Sequence, residues 1–108
     1  MKVKIKLTVG QFAALIAFVK DATYEGLDEL QVLNIRLFLP FGLKKLIDCK
    51  PSEYATSFNK TKSFSIELNQ YTAIMALLTR ERNNVDPYTL AIFITLQNQN
   101  KNLLNLTA

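Results

Sequence analysis

The chain has 108 residues, too few for more than one ordinary domain yet enough to remove roughly two-thirds of its unfolded surface from water. Its composition, 49% apolar and 20% charged, excludes a disordered polyelectrolyte and leads to the expectation of a fold that needs no cofactor. The net charge of +4 divides as +3 over residues 1–50 and +1 over residues 51–108, so neither half is a basic arm, and no run approaches the roughly 18 uncharged apolar residues of a membrane span.

The chain begins with an alternation of Lys2, Lys4 and Lys6 with Val3, Ile5 and Leu7, the period of two of a strand with one buried face. Thr8-Val9-Gly10-Gln11 has the form of a capping box, in which the threonine hydroxyl accepts one orphan helix N–H and the glutamine reaches back to another. A helix is predicted from about Val9 to Lys20, with Phe12, Leu15, Ile16 and Val19 on one face. A second helix is predicted to start at Gly26, with Glu29 three residues on, carrying Leu30, Leu33, Asn34 and Leu37 at helical spacing. Pro40 lacks an N–H and its ring crowds the carbonyl four residues back, so this helix is expected to stop or kink near Leu39 and resume from Gly42 to Ile47.

Residues 49–61 are rich in polar and turn-forming types and read as a linker. The pattern then repeats. Phe64, Ile66 and Leu68 alternate with Ser63, Ser65 and Glu67, Asn69 reads as the next N-cap, and Tyr71, Ile74, Met75 and Leu78 reproduce the helical spacing of Phe12 to Val19. Matched this way, the strand and cap sit two residues out of step with the helix, which implies a small insertion near Gly10 in the first copy. Asp86-Pro87 opens a last helix, with Leu90, Phe93 and Leu96 on its buried side. Leu103, Leu104 and Leu106 follow an amide-rich stretch.

The expected architecture is a single, mostly helical α+β domain made of two tandem β-α-α units that look like an internal duplication. The copies run over about residues 2–48 and 62–106. Two strands, about 2–7 and 62–68, form a short sheet covered by four or five helices. Such a ribbon is marginal alone and leaves two open edges, so pairing in a homodimer is its natural extension. The competing expectation is a monomer whose edges are blunted by Lys2, Lys4, Lys6 and Glu67.

Catalytic resources are thin. There is no histidine, which removes the commonest base near neutral pH and the commonest metal ligand. Cys49 is the single cysteine and lies between Asp48 and Lys50, so neither a disulfide nor a metal pair is available to it within the chain. Gly10, Gly26 and Gly42 stand apart and form no phosphate loop. Asp28 and Glu29 suit the first turn of a helix, where acids oppose the dipole. The expectation is a cytoplasmic, non-enzymatic protein without cofactor, catalytic residue or metal, and its Lys, Asn and Ile content suits the AT-rich genome of a bacterium or phage.

Two functions from different classes fit. The first is a protein–protein interaction or assembly module that associates with itself or another protein. Its candidate interface is the run Phe38-Leu39-Pro40-Phe41-Gly42-Leu43, apolar on every side, with Phe38, Leu39, Phe41 and Leu43 as contacts. The alternative is a weak, sequence-tolerant nucleic-acid binder using Lys44, Lys45, Lys50, Lys60 and Lys62 around the linker. The acids at the start of the second helix oppose a helix-turn-helix reading, because they repel phosphate where a recognition helix must attract it.

Overall fold

The computed structural model describes residues 1–48 and 61–100. The order is β1 (Lys2–Thr8), α1 (Val9–Asp21), α2 (Glu29–Ile47), β2 (Thr61–Glu67), α3 (Leu68–Glu81) and α4 (Pro87–Gln99). The repeated β-α-α plan is thus present, with a two-stranded antiparallel sheet and four helices among the described residues. Cys49, Lys50 and Lys60, most of the linker, and Leu103, Leu104 and Leu106 lie outside the described residues.

The ribbon pairs Lys2 with Glu67, Ile5 with Phe64 and Thr8 with Thr61. Val3, Ile5, Leu7, Phe64 and Ile66 are buried beneath the helices. Lys2, Lys4, Lys6, Ser63 and Glu67 occupy the exposed face. Alternation in the sequence therefore becomes two faces of one ribbon. Lys2 and Glu67 stand directly opposite, without an ion pair between them.

The first capping box forms as predicted: Gln11 N–H donates to Thr8 Oγ1 at 3.0 Å, and Thr8 N–H donates to Gln11 Oε1 at 3.0 Å. The predicted faces of both copies are inside, Phe12, Leu15, Ile16 and Val19 on α1 and Tyr71, Ile74, Met75 and Leu78 on α3.

Three expectations change. Asn69 is not a cap: α3 starts two residues earlier than that cap implies, and Glu67 holds the N-cap position without a side-chain hydrogen bond. The strand ends at Glu67, and Leu68 N–H, which has no acceptor within the helix, donates to the Met1 carbonyl at 3.0 Å instead. Helix starts Val9 and Leu68, like the residues before them, Thr8 and Glu67, are then 59 positions apart. The same spacing aligns Ile5 with Phe64 and Leu7 with Ile66, so no insertion near Gly10 is required. Second, α2 is one helix from Glu29 to Ile47 that passes through Pro40, without a stop at Leu39. Pro40 and Arg36 are both exposed, so the Arg36 carbonyl deprived of its helical donor lies on the solvent side. Third, the start of α2 is capped by Asp28, whose carboxylate accepts from Gln31 N–H at 2.7 Å while Asp28 N–H donates to Gln31 Oε1 at 3.1 Å. Gly26, at φ +84°, supplies the left-handed turn ahead of that cap.

The two units interlock. α2 packs on α3 as well as α1, and α4 packs on α1 and β1. Each unit's second helix thus lies on the first helix of the other unit.

Candidate interaction surface

The surface is built on α2, whose 19 residues carry two apolar faces. Ile35 and Phe38 are fully buried and Gly42 is buried beside them. Phe38 meets Phe12 edge to face with centroids 6.3 Å apart, and Phe12 in turn stacks on Phe64 at 3.9 Å. These rings join α2, α1 and β2 into one core, and sealing a ring the size of Phe38 is worth roughly 1.5–3 kcal/mol. Gly42 lets α1 come close, since a Cβ there would lie 3.0 Å from Ile16 Cδ1.

The other face is wet. Leu30, Leu33 and Leu37 are 64%, 52% and 53% exposed, and their spacing of three and four residues sets them in one line along the helix. Leu43 and Ile47 are exposed further along. Of the residues expected as contacts, Phe38 is core, Leu39 and Phe41 are half-buried against the core, and Leu43 is exposed. The leucine line predicted from helical spacing exists, but it faces outward while Ile35 and Phe38 face inward. Periodicity found the leucine line and had no means to tell which way it faces, because a buried stripe has apolar residues at the same helical intervals. The ring of Phe12 decides for Phe38.

Charge on α2 is polarised. Asp28 and Glu29 stand at its start, Lys44 and Lys45 at its end, each sign where it opposes the helix dipole. Lys45 Nζ also lies 5.4 Å from the centroid of the Phe41 ring. Of the basic residues weighed for nucleic acid, Lys44 and Lys45 are exposed at the end of α2, and Lys62 is half-buried near the start of β2, opposite Leu7. Arg80 is committed elsewhere. Its guanidinium donates to the backbone carbonyls of Thr23 and Glu25, and its Nε donates to Glu81 Oε1 at 2.9 Å. It therefore ties the connection between α1 and α2 to the end of α3.

An open cleft of about 600 Å³ lies between α1 and the connection from α3 to α4, lined by Phe18, Asp21, Val85, Tyr88 and the carboxylates of Glu81 and Asp86. Glu81 pairs with Arg80, and Asp86 caps α4 by accepting from the Thr89 hydroxyl at 2.6 Å and Thr89 N–H at 3.3 Å. The Thr89 hydroxyl bond holds the Asp86 carboxyl below its ordinary range, so it stays ionised and makes a poor general base near neutral pH. Among the described residues no group of three His, Cys, Asp or Glu is arranged to hold a metal ion, and no helix is long and apolar enough to cross a membrane.

No family model, curated protein or solved structure matches the chain.

Proposed function

We propose that this protein is a non-enzymatic assembly module that associates with a second copy of itself through the outward face of α2. The observation that carries the reading is the line of Leu30, Leu33 and Leu37, more than half exposed on a helix whose opposite side is fully committed to the core. A second copy is the occupant that the charge pattern favours. Laid antiparallel about a twofold axis, two α2 helices set Leu33 of one beside Leu37 of the other and bring Glu29 toward Lys44 of the second copy. The parallel arrangement sets acid against acid and base against base. Opposed helix dipoles favour the antiparallel arrangement further.

Size-exclusion chromatography with light scattering tests this. The native chain is expected to rise above the monomer mass with concentration, and the double variant Leu33→Glu/Leu37→Glu to lose the part of that association that runs through α2. Because both leucines are exposed, the variant should keep its helical circular dichroism and unfold within roughly 1 kcal/mol of the parent. A native chain that is monomeric at about 100 µM, or a folded variant that associates like the parent, would overturn the reading.

A further inference from the structure

The ribbon has two outer edges, and they are treated differently. At β1, the side-chain amide of Gln99 occupies the edge: Lys6 N–H donates to Gln99 Oε1 at 2.8 Å, and Gln99 Nε2 donates to the Lys6 carbonyl at 2.7 Å. One side chain makes the pair of bonds that a neighbouring strand would make. Since both Lys6 backbone groups point away from β2, the opposite residue, Ser63, belongs to a non-hydrogen-bonded pair and also points its N–H and C=O outward. The same alternation turns Ser65 outward. Among the described residues these backbone groups of Ser63 and Ser65 have no partner.

We propose that the β2 edge pairs antiparallel with the β2 edge of a second copy, giving a four-stranded sheet in the order β1-β2-β2-β1. In the register centred on Phe64, Ser63 exchanges backbone hydrogen bonds with Ser65 of the second copy, and Thr61 lies opposite Glu67. Charge selects this edge. Its outward side chains Ser63 and Ser65 are neutral, and no like charges meet across the new pairing. Pairing through β1 would set the combs of Lys2, Lys4 and Lys6 about 5 Å apart and displace Gln99. Pairing through β2 leaves them three strand spacings apart, about 14 Å, beyond the roughly 8 Å over which physiological salt lets exposed charges interact. This interface goes beyond the α2 face and stands without it. A chain bearing both twofold faces grows past the dimer.

The test is amide hydrogen exchange of the full chain at rising concentration, with light scattering alongside. Ser63 and Ser65 amides should slow by about tenfold or more as the chain associates, while Lys4, on the β1 edge, does not change. Ser65→Pro removes an N–H that points away from the fold, a position where an edge strand tolerates proline, and should cut the largest species to dimers. Leu33→Glu/Leu37→Glu should also stop at dimers, and the two changes combined should give monomers. Ser63 and Ser65 amides that exchange at a rate independent of concentration overturn the edge pairing, whether fast because the edge stays open or slow because the chain's own residues cover it. If Ser65→Pro dissociates the chain while the leucine variant does not, the edge stands and the α2 reading falls. The reverse result leaves α2 alone.

Discussion

Ile5 and Phe64 face each other directly across the ribbon, and they are also equivalent residues of the two β-α-α units, 59 positions apart like the helix starts Val9 and Leu68. That coincidence is what a twofold relation between the units demands, with its axis through this pair. The relation extends outward: Leu7 corresponds to Ile66, Phe12 to Tyr71, and the N-cap Thr8 to Glu67. It breaks where Val3 corresponds to Lys62, which is only half-buried on the helix side.

The broken cap gives a first prediction. Residues 67–70 read Glu-Leu-Asn-Gln against Thr-Val-Gly-Gln at 8–11, so α3 already has the N3 glutamine of a capping box and lacks the hydroxyl. Glu67→Thr should complete the box and stabilise the fold by about 0.5–1 kcal/mol, the cap gain being partly offset by loss of an acid near the helix start. Urea denaturation reads the gain, and slower exchange of the Gln70 amide identifies its source. A more stable variant with an unprotected Gln70 amide would mean the cap is not the cause.

The parts legible in the sequence were those with one dominant local rule. Thr8 and Gln11 announced a capping box, Asp86-Pro87 a helix start, and α1 and α3 have a single apolar face each. The rest depended on tertiary contacts. Leu30, Leu33 and Leu37 have the same periodicity as a buried stripe, and only the seating of Phe38 against Phe12 turns them outward. Asn69 is a better cap than Glu67 by composition, yet it lies inside α3, whose first N–H, on Leu68, is taken up by the distant Met1 carbonyl. Gln99 gave no local signal of its bond to Lys6, 93 residues away, within a run of amides that looked merely polar.

Arg80 should act as a tether. Its bonds to the Thr23 and Glu25 carbonyls hold the connection that precedes Asp28, whereas its pairing with Glu81 is partly exposed and contributes little. Arg80→Ala is expected to cost about 1–2 kcal/mol in chemical denaturation and to speed amide exchange around Gly26 and Leu27. Arg80→Lys, which keeps the charge but not the planar fork, should recover less than half of the loss. Full recovery by lysine would show that charge alone acts there.

Gly42 tests how closely α1 and α2 are fitted. Alanine gains helix propensity of about 1 kcal/mol but sets its Cβ 3.0 Å from Ile16 Cδ1, a side-chain end able to shift, so Gly42→Ala should fall within about 1 kcal/mol of the parent. Gly42→Leu has no such accommodation and should cost more than about 2 kcal/mol, measured as a lower denaturation midpoint. A tolerated leucine would mean the helices separate at little cost.

Tyr71 joins α3 to α4 by donating its buried hydroxyl to the Leu96 carbonyl at 3.1 Å, and its titration gives the chain an alkaline limit. Burial pushes the phenol above its ordinary range, because the phenolate would lose its hydration there. A group whose folded pKa is raised adds stability that is complete below its unfolded pKa, about 10, and disappears as pH climbs through the folded value. Tyr71→Phe removes both the hydrogen bond and the titration. It should cost about 1 kcal/mol at pH 7, and the gap between parent and variant should narrow as denaturation is repeated from about pH 9 to pH 11. Lysines titrate in both proteins over that range, so the difference between the two curves isolates the phenol. A gap that stays constant to pH 11 would show that Tyr71 ionises no less easily in the folded chain than in the unfolded one.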